Sequence, residues 1–195
     1  MAVFPGAGDA SVRLAFNDAS GVEQSVGASS PLPVNGKSYR STATLTRPSN
    51  TTAYTAGDVV GDTGGSAILT FTGAGPLGGF LILQSVSLVF SDSTVPNGMG
   101  SFRLHLYSAA PTAIADNVVF DLVSGDRANY MGYVDLLTPQ DFGSTLYSQA
   151  DYSGRLLKLA VASNTLYAEL ETRGAYTPVS ASTVAVQLNL LEAGL

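Results

Sequence analysis

The chain has 195 residues, a formal net charge of −6, no cysteine, one histidine, and only 12% Asp, Glu, Lys and Arg, about half the share usual for a soluble domain. Without cysteine it makes no disulfide, thiolate metal site or cysteine nucleophile, and its singly scattered basic residues give no stripe for a phosphate backbone, so nucleic acid is not an expected partner. The length suits one domain with a full core. Its apolar residues fall in short alternating runs, not membrane-length blocks, which points to a β protein whose weakly charged surface is suited to contact with other protein.

The start, Met1-Ala2-Val3-Phe4-Pro5-Gly6, lacks the charged region and apolar core of a secretory signal. Residues 1–38 read as an extended N-terminal arm and residues 39–195 as a β-sandwich body. Within the arm only residues 11–16 alternate, with Val12, Leu14 and Phe16 against Ser11, Arg13 and Ala15. Residues 17–36 shift to Ser, Gly, Ala, Asn and Pro, including Ser29-Ser30-Pro31-Leu32-Pro33, which holds no helix and buries little. Such a segment is expected to order on a neighbouring subunit.

Strand patterns then recur at sandwich spacing. Residues 39–46 place Tyr39, Ser41, Ala43 and Leu45 on one face, and residues 66–72 set Leu69 and Phe71 against Ile68, Thr70 and Thr72. Residues 80–90 form a long buried strand. Residues 101–108 turn Phe102, Leu104 and Leu106 inward, and Arg103, His105 and Tyr107 the other way. Further strands are expected at 117–122, 130–136, 156–162, 165–171 and 183–191. The last alternates Val184, Val186, Leu188 and Leu190 with Thr183, Ala185, Gln187 and Asn189. Residues 156–171 read as a tight hairpin with Asn164 at positive φ. The one helix start is Thr138-Pro139-Gln140-Asp141, with Thr138 as cap and Pro139 at the first helical position. The fold class is therefore all-β: an antiparallel β-sandwich, jelly-roll-like, with an extended N-terminal arm.

Chemical motifs are sparse. Gly73-Ala74-Gly75-Pro76-Leu77-Gly78, with Asp92 downstream, matches the dinucleotide fingerprint in form, but the interval holds no crossover helix and second strand, so it reads as a glycine turn. His105 sits mid-strand without a partner motif and reads as a structural or interface histidine, not a triad member or zinc ligand. Asp116, Asp121, Asp126 and Asp135 lack the calcium-loop pattern; as paired acids for glycan cleavage they would depend on the fold. Asn50-Thr51-Thr52 matches a glycosylation sequon and reads as a turn. Tyr130, Tyr133, Tyr147, Tyr152 and Tyr176 are candidates for a sugar platform, although tyrosine serves protein interfaces equally. No catalytic, cofactor-binding or metal residue is assigned, and no cofactor is expected.

Leu104-His105-Leu106-Tyr107-Ser108-Ala109-Ala110-Pro111-Thr112, then Ala115-Asp116-Asn117, Asp126-Arg127 and Tyr130-Met131-Gly132-Tyr133, resemble a family of small structural proteins of tailed bacteriophages and prophages. Residues 44–48, residues 51–59, Thr165-Leu166-Tyr167 and residues 172–178 extend the likeness over most of the body, but not the arm. The resemblance implies a virion component: a head decoration or cement protein, not an enzyme, made in the host cytoplasm and carried on the capsid surface. Its expected partners are the major capsid protein lattice and copies of itself, as a homotrimer or other closed ring, with no membrane. The alternative is a carbohydrate- or receptor-binding head or tail appendage; a glycan-cleaving enzyme is the third reading.

Overall fold

The computed structural model describes residues 15–17, 23–25 and 36–193, and the chain divides into two compact units, Met1–Asn35 and Gly36–Leu195. In the first, β1 (Ala15–Asn17) and β2 (Glu23–Ser25) pair antiparallel, with Phe16 opposite Gln24. The strand expected at 11–16 overlaps β1 only at its end. Residues 11–14 lie outside the described residues, as does most of the arm segment 17–36.

The second unit contains no helix among its described residues. Its strands are β3 (Ser38–Thr46), β4 (Val59–Val60), β5 (Leu69–Phe71), β6 (Phe80–Phe90), β7 (Phe102–Tyr107), β8 (Tyr130–Leu136), β9 (Gln140–Asp141), β10 (Leu146–Lys158), β11 (Leu166–Thr172) and β12 (Thr183–Ala193). One sheet has the order β3-β12-β6-β10-β9, the other β4-β11-β7-β8 with β5 also on β11. β4 and β5 are two halves of one strand: Val59 and Val60 face Glu171 and Leu170, then Leu69 to Phe71 continue along Ala168 to Leu166, with residues 61–68 looped out between. Counting these halves as one strand and setting aside the two-residue β9, the first sheet holds the first, eighth, third and sixth strands. The second sheet holds the second, seventh, fourth and fifth. That order is a jelly roll.

Alternation builds the core. β3 buries Ser41, Ala43 and Leu45, and β12 buries Val184, Val186, Leu188 and Leu190, as a sheet with one face on a core requires. β6 changes parity midway: Leu81 and Leu83 point inward, then Val86, Leu88 and Phe90. Gln84 is the extra residue, a bulge that shifts the register against β12 and, between Asp151 and Arg155, against β10. Phe71, Phe102, Leu104, Leu106, Val134 and Leu170 face them from the second sheet.

The structure corrects five sequence expectations. The strand expected at 156–162 ends at Lys158 and is the tail of the longer β10. The strand at 66–72 is only Leu69–Phe71. Residues 117–122 form no strand; Val119 makes a single antiparallel bridge to Asp58. No helix starts at Thr138: Gln140 and Asp141 pair with Tyr147 and Leu146 around a turn in which Gly143 has φ 96°, so ladder bonds to a neighbouring strand override local capping chemistry. Residues 156–171 are not a hairpin, because β10 and β11 belong to different sheets. Their connection crosses the sandwich, and Ala162, with φ 58°, takes the left-handed position expected of Asn164.

Candidate functional site: a covered polar cluster

β7 sends Phe102, Leu104 and Leu106 into the core, so Arg103, His105 and Tyr107 occupy the outward face. β11 does the same with Leu166, Ala168 and Leu170, leaving Tyr167, Glu169 and Glu171 outside, in register with Tyr107, His105 and Arg103. An outward face normally meets water. Here His105 is 4% exposed, Tyr107 1%, Glu169 1% and Glu171 5%.

The cover is the β7–β8 connection, residues 108–129. It is pinned to the edge of β4 by Val59 N–H to Val118 C=O at 2.8 Å, Asn117 N–H to Val59 C=O at 3.0 Å and Phe120 N–H to Gly57 C=O at 2.8 Å. The Phe120 ring then stacks on the His105 imidazole, with centroids 3.6 Å apart and planes 11° from parallel.

Both nitrogens of that imidazole are engaged. Nε2 lies 2.8 Å from Glu171 Oε2, and Nδ1 lies 2.9 Å from the Tyr130 hydroxyl. Burial pulls the His105 pKa below its ordinary value, with Glu171 opposing, so the ring is neutral at pH 7. The matching tautomer donates from Nε2 to Glu171 and accepts from Tyr130 at Nδ1. Glu171 Oε1 accepts from Arg173 Nη1 at 2.6 Å. Next to this pair, Glu169 is pushed up to about 7 by burial, opposed by the Ile114 N–H and the Tyr107 hydroxyl, each 3.3 Å away. A general base needs a free nitrogen within reach of a substrate proton. His105 has both nitrogens occupied and an aromatic lid, and the cluster ties the connection to the sheet.

A second polar knot lies at the end of β3. Arg47, 1% exposed, donates from Nε to the Tyr54 hydroxyl at 2.5 Å, from Nη1 to Val179 C=O at 3.1 Å and from Nη2 to Asp116 Oδ2 at 3.3 Å. Asp116 Oδ1 accepts from Tyr54 at 2.5 Å and from the Gly61 N–H at 2.8 Å. Every group is matched, which a buried ion pair requires if it is not to destabilise.

The other sequence candidates separate. Asp126 accepts the Thr112 N–H at 2.9 Å and Asp135 accepts Arg103 Nε at 2.7 Å, whereas Asp116 is spent on Arg47. Among the described residues no three His, Asp or Glu side chains gather as metal ligands. Gly73 and Gly78, both at φ 64°, bound a turn whose Ala74 and Gly78 N–H groups bind Asn164 and Ser163. β6 follows, not a phosphate-binding helix. Asn50 Oδ1 accepts the Thr52 N–H at 3.1 Å, a side-chain turn. Tyr176 is core, Tyr130 is held by His105, Tyr133 lies under the Arg103 guanidinium at 3.7 Å, Tyr147 donates to Gln149, and Tyr152 donates to Asp135 C=O. Of the five, Tyr130 and Tyr133 have their rings 5.9 and 6.2 Å from that of His105.

The alternation of residues 165–171 marks Glu169 and Glu171 only as strand residues. Their signal was two acids at alternate positions of an otherwise apolar strand, which is costly unless that face finds partners.

No protein-family model matches the chain, and no curated protein matches it. Among solved structures the chain is similar to one from the full particle of Israeli acute paralysis virus heated to 63 degrees, at 12% identity over 98% of this chain and 80% of that one, with a TM-score of 0.35. The jelly roll is established by the strand order and not by this likeness.

Proposed function

We propose that this chain is a virion structural protein, a jelly-roll unit that binds the outside of a phage head lattice and stabilises it. The observation that carries the reading is the outer face of the first sheet. It is a field of hydroxyls and amides, ordered by their own bonds: Gln187 to Asn189 at 3.3 Å, Asn189 to Ser85 at 2.8 Å and Tyr147 to Gln149 at 2.6 Å. Its charges are few, with Arg40 on β3 and Asp151 and Lys158 on β10, so another protein can cover most of the face without the desolvation of charge that is the main cost of burying polar surface. Exposed Leu137, Phe142 and Val161 add apolar contacts at the ends of the body. The resemblance of residues 104–133 to tailed-phage structural proteins supports the same assignment.

The mechanism is mass action. A protein that binds only the assembled lattice stabilises it by its binding free energy, and repetition over symmetric sites adds avidity. Residues 1–38 serve as the attaching arm, and the bound form is a homo-oligomer.

The test is to mix the purified chain with phage heads lacking it, then measure co-sedimentation and resistance of the heads to heat. Saturable binding with raised rupture temperature is expected. Failure to bind heads, combined with glycan binding that is lost in Tyr133→Ala, would replace this reading with a carbohydrate-binding one.

A further inference from the structure

We propose that β3 is a docking edge for a second copy of this chain, whose own β3 adds antiparallel across a two-fold axis at Thr42. The inference goes beyond the lattice-binding reading and does not depend on it.

The fold treats its sheet edges unequally. At β8 the carbonyls of Met131 and Tyr133 accept the Arg155 guanidinium, and that of Asp135 accepts the Tyr152 hydroxyl at 2.9 Å. Side chains of β10 therefore occupy the acceptors another strand would use. Gly132, at φ 88°, makes room for Arg155; a Cβ there would collide with the guanidinium. At β4 the edge is covered by residues 117–120. β9 is two residues long. These are recognised means of blocking edge-to-edge association.

Among the described residues β3 shows none of them between Arg40 and Thr44. It is nine residues long and lies at the end of its sheet. Lys37 C=O and Arg47 N–H bond toward the β12 side, to Glu192 and Ser182, whereas Thr46 C=O faces away and accepts the Thr63 N–H. Backbone groups alternate between the two edges of a strand, so Arg40, Thr42 and Thr44 direct their N–H and C=O outward. All three residues are exposed, and among the described residues no hydrogen bond reaches those groups.

The register favours self-pairing. With Thr42 opposite Thr42, Arg40 falls opposite Thr44 on both sides of the axis, so no like charges meet, and each residue exchanges both backbone bonds with its opposite. Cross-strand threonine pairs are favourable. The contact is isologous and closes on itself.

Thr42→Pro removes an outward N–H while sparing the β12 ladder, a position where an edge strand tolerates proline. Thr42→Lys sets like charges across the axis. Because the chain has no cysteine, Thr42→Cys traps the contact as a disulfide, with exposed Thr112→Cys as reference. The full-length chain is expected to sediment as a dimer at tens of micromolar. Both Thr42→Pro and Thr42→Lys should weaken association by about tenfold or more with unchanged circular dichroism, and Thr42→Cys should cross-link about tenfold faster than Thr112→Cys. A monomer, a trimer indifferent to Thr42→Pro and Thr42→Lys, or equal cross-linking rates would overturn the proposal. If Thr42→Pro fails to fold, Thr42→Lys and Thr42→Cys decide it.

Discussion

Glu169→Gln should change the pH dependence of stability in a defined direction. Burial raises the Glu169 carboxyl from 4.5 to about 7 in the folded chain. At ~1.4 kcal/mol per tenfold change in proton affinity, that gap is worth about 3 kcal/mol. Below pH 4.5 both folded and unfolded chains hold the proton and nothing is lost. As pH rises from 4.5 to 7 the unfolded chain ionises while the folded chain does not, so stability falls across that window and levels off above it. Tyr107, Asp126 and the cross-strand His105 are the titratable groups around Glu169, and all are kept in the variant. Glutamine cannot ionise, so the downward slope disappears. It still presents one acceptor for the Ile114 N–H and Tyr107 hydroxyl, and loss of the other costs about 1 kcal/mol at every pH. Urea unfolding of both chains near pH 4.5, 6 and 8 reads the difference. Glu169→Gln should be slightly less stable at the lowest pH and more stable at the highest, a swing of about 3 kcal/mol. A difference that stays constant with pH would refute the burial argument.

Three further substitutions probe the other contacts. His105→Gln should cost about 1–3 kcal/mol by breaking the bonds to Tyr130 and Glu171 and the stack on Phe120. The wild-type histidine has its folded pKa lowered by burial, so its contribution is present above its ordinary 6.5 and is lost as pH falls through the lowered value; thermal melts near pH 7 and 5 should show that acid-side loss reduced in the variant. Arg155→Ala should cost about 1–2 kcal/mol and, by uncovering the Met131 and Tyr133 carbonyls, make the chain scatter light at concentrations where the wild type stays clear. Gly61→Ala places a Cβ 2.6 Å from Asp116 Cα, which must displace the Arg47–Tyr54–Asp116 knot at a cost of about 2–3 kcal/mol; a denaturation midpoint equal to wild type would show that the backbone yields more easily than this packing suggests.

The strands legible in the sequence were those with one face on the core and an unbroken period of two. β6 and β8 run over the residues their patterns predict, and β3, β7, β11 and β12 agree within a residue or two at each end. β10 was mostly hidden because the bulge between Asp151 and Arg155 breaks the alternation, so only its last three residues, Leu156 to Lys158, fall within the strand expected at 156–162. The paired halves β4 and β5 were hidden for another reason. Each is too short to show a period, and only their common partner β11 reveals one strand with residues 61–68 looped out. The polar cluster is the instructive case. The sequence showed that His105 and Tyr107 leave the core face, but whether an outward face meets water depends on what the next connection does. Residues 108–129 carry no regular period, so nothing local announced that Phe120 would return to lie on His105 or that Val118 would pair with Val59. The requirement was nevertheless written at both ends: β7 carries His105 and Tyr107, and β11 carries Glu169 and Glu171 in register with them. A neutral imidazole, a phenol and two carboxyls brought together on a sheet need either solvent or matched partners, and the long connection supplies the partners. Its irregular sequence follows from that role, since a segment that must return its N–H groups to Gly57, Val59 and Glu169 and its aromatic ring to His105 has no repeat to obey.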